Sequence, residues 1–188
     1  QDMKFGIELG FQLPRPWTEE SEAELYESRL NIAELADELG FDSLWVEEHH
    51  FLEEYCHLSS PEVFLAACTQ RTKQIRLGFG VMLLPPMINN PVRSAEKVAA
   101  LDLLSNGRVE FGVGSSSDRL GTTAWGLDWE RRQEITEEVL GQVARMMVEE
   151  PYRGYDGTDF SFPTRNIIPK PQQKPHPPLW LACSHRES

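Results

Sequence analysis

A parallel α/β fold is the class this sequence predicts, and three observations predict it. Apolar runs of strand length alternate with helix-period segments, in the order β-α-β-α-β-α-β-α-loop-β. Strands separated by helices lie parallel and are joined by crossovers. The run Ile75 to Leu84 is almost wholly apolar, as suits a parallel strand covered on both faces. No Gly-x-Gly-x-x-Gly follows the first strand, which weakens a dinucleotide-binding sheet. An open doubly wound sheet and a (β/α) barrel both fit this order, although a complete barrel needs eight units and about 250 residues.

Phe5 to Phe11 reads as the first strand, closed by Pro14 and Pro16, which cannot donate to a ladder. Thr18 is placed to cap a helix with an acidic first turn (Glu19, Glu20, Glu22). Leu25, Ile32, Leu35, Ala36 and Leu39 share one face of that helix, and Gly40 takes the C′ position. Phe41 to Val46 is the second strand and runs into Glu47-Glu48-His49-His50. Pro61 opens the second helix at N1, continued by Val63, Ala66, Ala67 and Thr69. After the third strand, Asn90-Pro91 starts a helix to Leu104, with Val92, Ala95, Val98, Ala99 and Leu101 apolar and Gly107 beyond its end. Val109 to Val113 is the fourth strand and Trp129 to Val148 the fourth helix. Pro151 to Pro178 is an excursion rich in Pro, Gly and aromatics, and Pro178 to Cys183 is the fifth strand.

With 188 residues, 40% of them hydrophobic, the chain can bury a sizeable core, and we take 1–188 as one domain. A formal charge of −12 argues against nucleic acid or an anionic membrane surface as partner. No run approaches the ~20 apolar residues of a membrane span, and Gln1 to Lys4 carries no signal-peptide pattern. Cys56, Cys68 and Cys183 are odd in number with no CxxC, which points to reduced thiols and a cytoplasmic location.

Glu48-His49-His50 is the strongest chemical signal, because polar residues just past a parallel strand lie on the functional rim. An imidazole there can move a proton or donate to an oxyanion; an isolated histidine more often caps a loop. His49, His50 and His57 with Glu47 or Glu48 are conceivable metal ligands. Adjacent histidines on extended chain point apart, however, and no HxH or HExxH occurs, so no metal is expected. Gly112-Val113-Gly114-Ser115-Ser116-Ser117 brings uncrowded amides and hydroxyls to the same rim, which suits an anion as well as a plain turn. Gly78 and Gly80 inside the third strand mark a bulge or a close approach.

Three segments in order, FDSLWVEEHHF, IRLGFGVMLLPPMINNPVRSAEKVAALDLLSNGRVEFGVGSS and PPLWLACS, resemble the luciferase-like monooxygenase family over about Met3 to Ser188. The resemblance implies a (β/α)8 TIM-type barrel of which this chain supplies the first five βα units. It implies FMN as cofactor, reduced by a flavin reductase, which with O2 oxidises a small, apolar organic substrate. A coenzyme F420-dependent hydride transfer and a non-catalytic flavin-binding member are the alternatives.

By the same resemblance, His49 is the catalytic histidine, supported by Glu48 and His50. Gly80–Val81 is a cis peptide beneath the flavin ring, and Ser115, Ser116, Ser184 and His185 contact the phosphate. Where many relatives carry a clamping arginine this chain has Ser115, and Arg119 is a displaced substitute. Gly114 stands where bacterial luciferase has a reactive cysteine, so luminescence is not implied. Leu83, Leu84, Met87, Phe51 and Trp45 are substrate-pocket or core residues. Apolar helix faces at Val63, Ala67, Val92 and Val98 lead us to expect a homodimer, or further residues that complete the barrel.

Overall fold

Prolines and glycines set many of the boundaries in the computed structural model, which describes residues 3–183. Its elements are β1 (Gly6–Leu9), α1 (Ser21–Glu38), β2 (Ser43–Val46), α2 (Pro61–Arg71), β3 (Arg76–Phe79), β4 (Met82–Leu83) and α3 (Pro91–Leu104). Next come β5 (Val109–Gly114), α4 (Arg119–Ala124), α5 (Arg132–Val148), β6 (Tyr155–Asp156), β7 (Ser161–Phe162) and β8 (Leu179–Leu181). Pro61 and Pro91 each sit in the first helical turn, where a missing N–H leaves nothing unpaired. The Asn90 side chain caps α3 by accepting from the Val92 and Arg93 amides. Gly40, at φ +80°, takes the left-handed conformation that ends α1.

β1, β2, β3, β5 and β8 lie side by side in chain order, every pair parallel, with β4 continuing the β3 position along β5. α1, α2, α3 and α5 pack on one another in the same order. A doubly wound sheet would reverse direction at a switch point. Sequential parallel strands with sequential helices instead form the arc of a (β/α) barrel, here of four βα units and a fifth strand among the described residues. Leu44, Val46, Leu77, Phe79, Val109, Phe111 and Val113 point to the helix layer and are fully buried. There they join Phe64, Leu65, Val98, Val139 and Met146 in one core. On the other face Trp45 lies over Gly78, where an added Cβ would come within 2.3 Å of its ring. Trp180 meets Trp45 edge-on and donates to Glu110, which also pairs with Arg76.

Several expectations need correction. Thr18 does not cap α1; Glu20 occupies the cap without a side-chain bond, while Thr18 closes a turn with Ser21. Leu25 and Ala36 are buried as expected, but Leu35 and Leu39 are exposed, and Ala33 joins the core in their place. Val92 and Val98 are core residues covered within the chain, so of the faces proposed for association only Val63 and Ala67 are exposed. The excursion holds a short antiparallel hairpin, β6–β7, and the six-residue helix α4 has no counterpart in the sequence expectation.

The third strand is two strands. Leu77 faces Val109 and Met82 faces Val113, so one extra residue is held between β3 and β4: a bulge. Gly80–Val81 is cis at that point, as the resemblance implies. The bulge leaves the Phe79 carbonyl against β5, 2.0 Å from where a Cβ on Gly112 would lie. Gly112→Ala should therefore cost about 2–3 kcal/mol in urea denaturation, since backbone cannot yield as a flexible side chain would. Wild-type stability in that variant would mean that the approach is not so close.

Asp37, near the end of α1, accepts from the amides of Lys73 (2.7 Å), Gln74 (2.8 Å) and Ile75 (2.6 Å). Burial alone would raise its carboxyl, but these amides and Arg108 outweigh that and hold it below the ordinary value. A depressed folded value contributes stability that is present above the unfolded value, about pH 4, and is lost as pH falls through the folded one. Asp37→Asn should flatten that acid limb in pH-dependent melts; an unchanged slope below about pH 4 would contradict the assignment.

Candidate active site

Residues past the ends of β2, β4, β5 and β8 build the site. Glu48 is 4% exposed and acts as a tie. Its Oε2 accepts from the Leu83 amide (2.9 Å), and its Oε1 from Asn89 Nδ2 (2.8 Å) and from His50 Nε2 at 3.0 Å. Asn89 also donates to the Leu83 carbonyl. One carboxyl thus joins the end of β2 to the end of β4.

His49 stands apart from this tie. Its Nε2 lies 3.4 Å from Glu47 Oε2, its ring meets Tyr55 edge-on at 5.3 Å, and its amide donates to Leu58. Glu48 and His50, expected as its immediate support, make their bonds elsewhere; the contacting carboxyl is that of Glu47. His50 rests edge-on against Trp125. His49 lines a cavity of about 670 Å³ together with Phe51, Tyr55, Ser117, Asp118 and Leu120. Of the apolar residues proposed for substrate, Leu83 and Leu84 are core, and Phe51 is exposed at this cavity. Trp45 belongs to the sheet's other face and Met87 is exposed away from it.

A second cavity, about 380 Å³, is lined by Val81, Gly114, Ser115, Ser116, Ser117, Trp129, Arg132, Gln133, Ala182 and Cys183. Gly80 itself sits one residue behind this wall, against Trp45. Ser116 holds φ +78°, a left-handed conformation unusual for serine, and its hydroxyl and the Asp118 backbone bond each other. Ser184 and His185 lie outside the described residues. Arg119 is exposed at the start of α4 and is not part of this wall.

Arg132 is a site residue that the sequence motifs do not point to. Its guanidinium sits 3.8 Å over the Trp129 ring; Nη1 donates to the Trp129 carbonyl and Nε to Ser116. Nη2 makes no hydrogen bond among the described residues. One signal was available: Arg131 and Arg132 sit at a helix N-terminus, where the dipole disfavours cations. Arg131 is accounted for by its paired bonds to Asp159. Arg132 is the unexplained one, and it faces three serines.

Arg132 Nη2, free among the described residues, forms with the neighbouring serine hydroxyls a donor set of the kind that suits an anionic group such as phosphate. Among the described residues no cluster of His, Cys, Asp and Glu has metal-ligand spacing, and no helix is long and apolar enough to cross a membrane.

A barrel arc with a histidine and a cavity lined by serines and Arg132 past the carboxyl ends of its strands has its polar groups where (β/α) enzymes place their active sites. Residues 3–188 match the luciferase-like monooxygenase family, and the chain belongs to it. Monooxygenase RslO1 from Streptomyces bottropensis shares 34% identity and superposes with a TM-score of 0.88 over 97% of this chain and 54% of its own. The oxygenase component of the flavin-dependent trigonelline monooxygenase of Acinetobacter baylyi is 28% identical over 96% of this chain and 49% of its own length. A 3,6-diketocamphane monooxygenase of Pseudomonas putida, solved with FMN, shares the fold: TM-score 0.84, 18% identity, 96% of this chain and 51% of its own. The chain spans about half the length of the curated relatives it matches.

Proposed function

We propose that this chain carries the flavin-binding, histidine-bearing part of an oxygenase that uses reduced FMN and O2 to oxidise a small, apolar organic substrate. The observation that carries this reading is that Ser117 lines both cavities. A histidine site and a phosphate-type site thus lie on two sides of one short loop, at the strand ends. Arg132, Ser115 and Ser116 would hold the phosphate, charge-assisted bonds giving the affinity. Gly80, Val81 and Gly114 would bear on the ring. When bound, the flavin supplies electrons for O2 activation; the protein's part is to orient it, exclude water and move protons.

His49 is the proton-transfer group of this reading, beside the apolar and aromatic wall of Phe51, Tyr55 and Leu120. The trigonelline relative's description as an oxygenase component supports a separate flavin reductase as partner. Exposed Val63 and Ala67 on α2 are the candidate self-association face, readable by light scattering. The test of the whole reading is titration with FMN, alongside F420, followed by oxygen uptake with a generic flavin reductase and NADH. Saturable FMN binding with protein-dependent uptake supports it. Binding of F420 alone would move the reading to hydride transfer, and binding of neither would end it.

A further inference from the structure

His49 is the proton-transfer group of the proposed oxygenase, and the role assigned here to its neighbour rests on that function. The structure places a carboxyl directly behind the imidazole. Glu47 is 9% exposed, its Oε2 is 3.4 Å from His49 Nε2, and its Oε1 is a buried oxygen without a hydrogen-bond partner among the described residues. A buried, unsatisfied carboxyl oxygen is costly and is retained where it serves a purpose.

Few other groups bear on Glu47. The Cys56 thiol, on the loop packed against it, is pushed up to about 12, first by burial and then by Glu47 itself, so it stays neutral. The Phe11 amide comes from the loop after β1. Burial works to raise the Glu47 carboxyl, but His49, Cys56 and Phe11 outweigh it and hold it below the ordinary range. His49 for its part is faced by the Tyr55 ring, and Glu53 and Asp118 share its cavity. Glu47 therefore has an acceptor to offer and His49 Nε2 is the nearest ring nitrogen to take it. His49 Nδ1 makes no hydrogen bond among the described residues.

We propose that Glu47 is a positioning residue for His49: its buried carboxylate accepts a hydrogen bond from Nε2–H, fixing the imidazole tautomer that leaves an unprotonated Nδ1 for the reacting molecule. The pattern is physical and general, since a carboxyl behind a histidine sets which ring nitrogen carries the proton. The 3.4 Å separation is long for a finished hydrogen bond, and contacts of this kind tighten when ligand fills the site. Glu48, the supporting carboxyl that the family resemblance implies, has its oxygens committed to Leu83, Asn89 and His50.

The test is a long-range 1H–15N correlation spectrum of the full chain with labelled histidine, at a pH where the imidazole is neutral. His49 is assigned by its loss in His49→Ala. Expected is an Nε2–H tautomer in wild type, retained in Glu47→Asp and displaced towards Nδ1–H in Glu47→Gln, whose amide can donate to the ring. In the reductase-coupled assay Glu47→Gln should lower kcat about 10-fold or more with KM little changed. A wild-type His49 already protonated at Nδ1 overturns the proposal, with no variant needed. So does a tautomer indifferent to Glu47→Gln. A tautomer that follows Glu47 supports the positioning role even where His49→Ala leaves turnover intact, a result that would instead fail the catalytic reading of His49.

Discussion

Replacing Glu48 with alanine should lower stability by about 3 kcal/mol, a fall in Tm of roughly 6–12 °C for a chain of this size. The carboxyl is 4% exposed and holds three partners, so its removal strands the buried Leu83 amide and frees both Asn89 and His50. A buried donor without a partner costs about 1–3 kcal/mol by itself, and the vacated side-chain volume adds to it. Glu48→Gln should cost less, because its oxygen can still accept from Leu83. A melt of Glu48→Ala within about 1 °C of wild type would mean that the β2–β4 tie is not held by this residue.

His49→Ala should reduce turnover by about 10²-fold or more while leaving folding intact, the usual scale for a proton-transfer group. Its side chain is partly open to the 670 Å³ cavity and ties no two elements together, so little stability is at stake. The contrast with Glu48 is the informative part. Adjacent residues at the same strand end divide the labour, one bracing the site and the other lining it. Equal loss of Tm and of turnover in both variants would erase that division.

Much of the frame was legible because it rests on short-range chemistry. Pro61, Asn90-Pro91 and Gly40 mark boundaries through their own backbone limits, and each stands in the fold at the boundary its residue type dictates. The segment Leu101-Asp-Leu-Leu-Ser-Asn-Gly-Arg108 belongs to the family motif, and its work here is structural. Asp102 is fully buried and holds Gln173, which pins the excursion to α3. Arg108 donates to Ser105, Thr72 and the Ile75 carbonyl, linking α2, β3 and α3. The ties from Arg108 to Ile75 and from Asp102 to Gln173 span 33 and 71 residues, distances at which spacing in the sequence carries no signal.

The same limit applies to the site. Glu47 and Glu48 are adjacent carboxylic acids with nothing local to tell them apart; only the β2 register decides which faces Leu83 and which His49. Likewise helical period alone selects Leu35 and Leu39 on α1 along with Leu25 and Ala36, whereas the helix buries Ala33 and leaves both leucines exposed. Arg132 stands out locally only as a cation at a helix N-terminus, and its place beside Ser116 is not readable there, because the contact spans 16 residues.

The proposed role of the pocket beside Ser115–Ser117 is to take a phosphate-bearing flavin through Arg132. Parallel titrations of FMN and riboflavin, which share a ring and differ in the phosphate, test it most directly. Arg132→Ala should weaken FMN by about 10-fold or more and leave riboflavin unchanged, with Arg132→Lys between them, because only the phosphate meets the guanidinium. If Arg132→Ala leaves FMN affinity at the wild-type value, or weakens both ligands alike, the phosphate does not sit there and the assignment of this pocket is wrong.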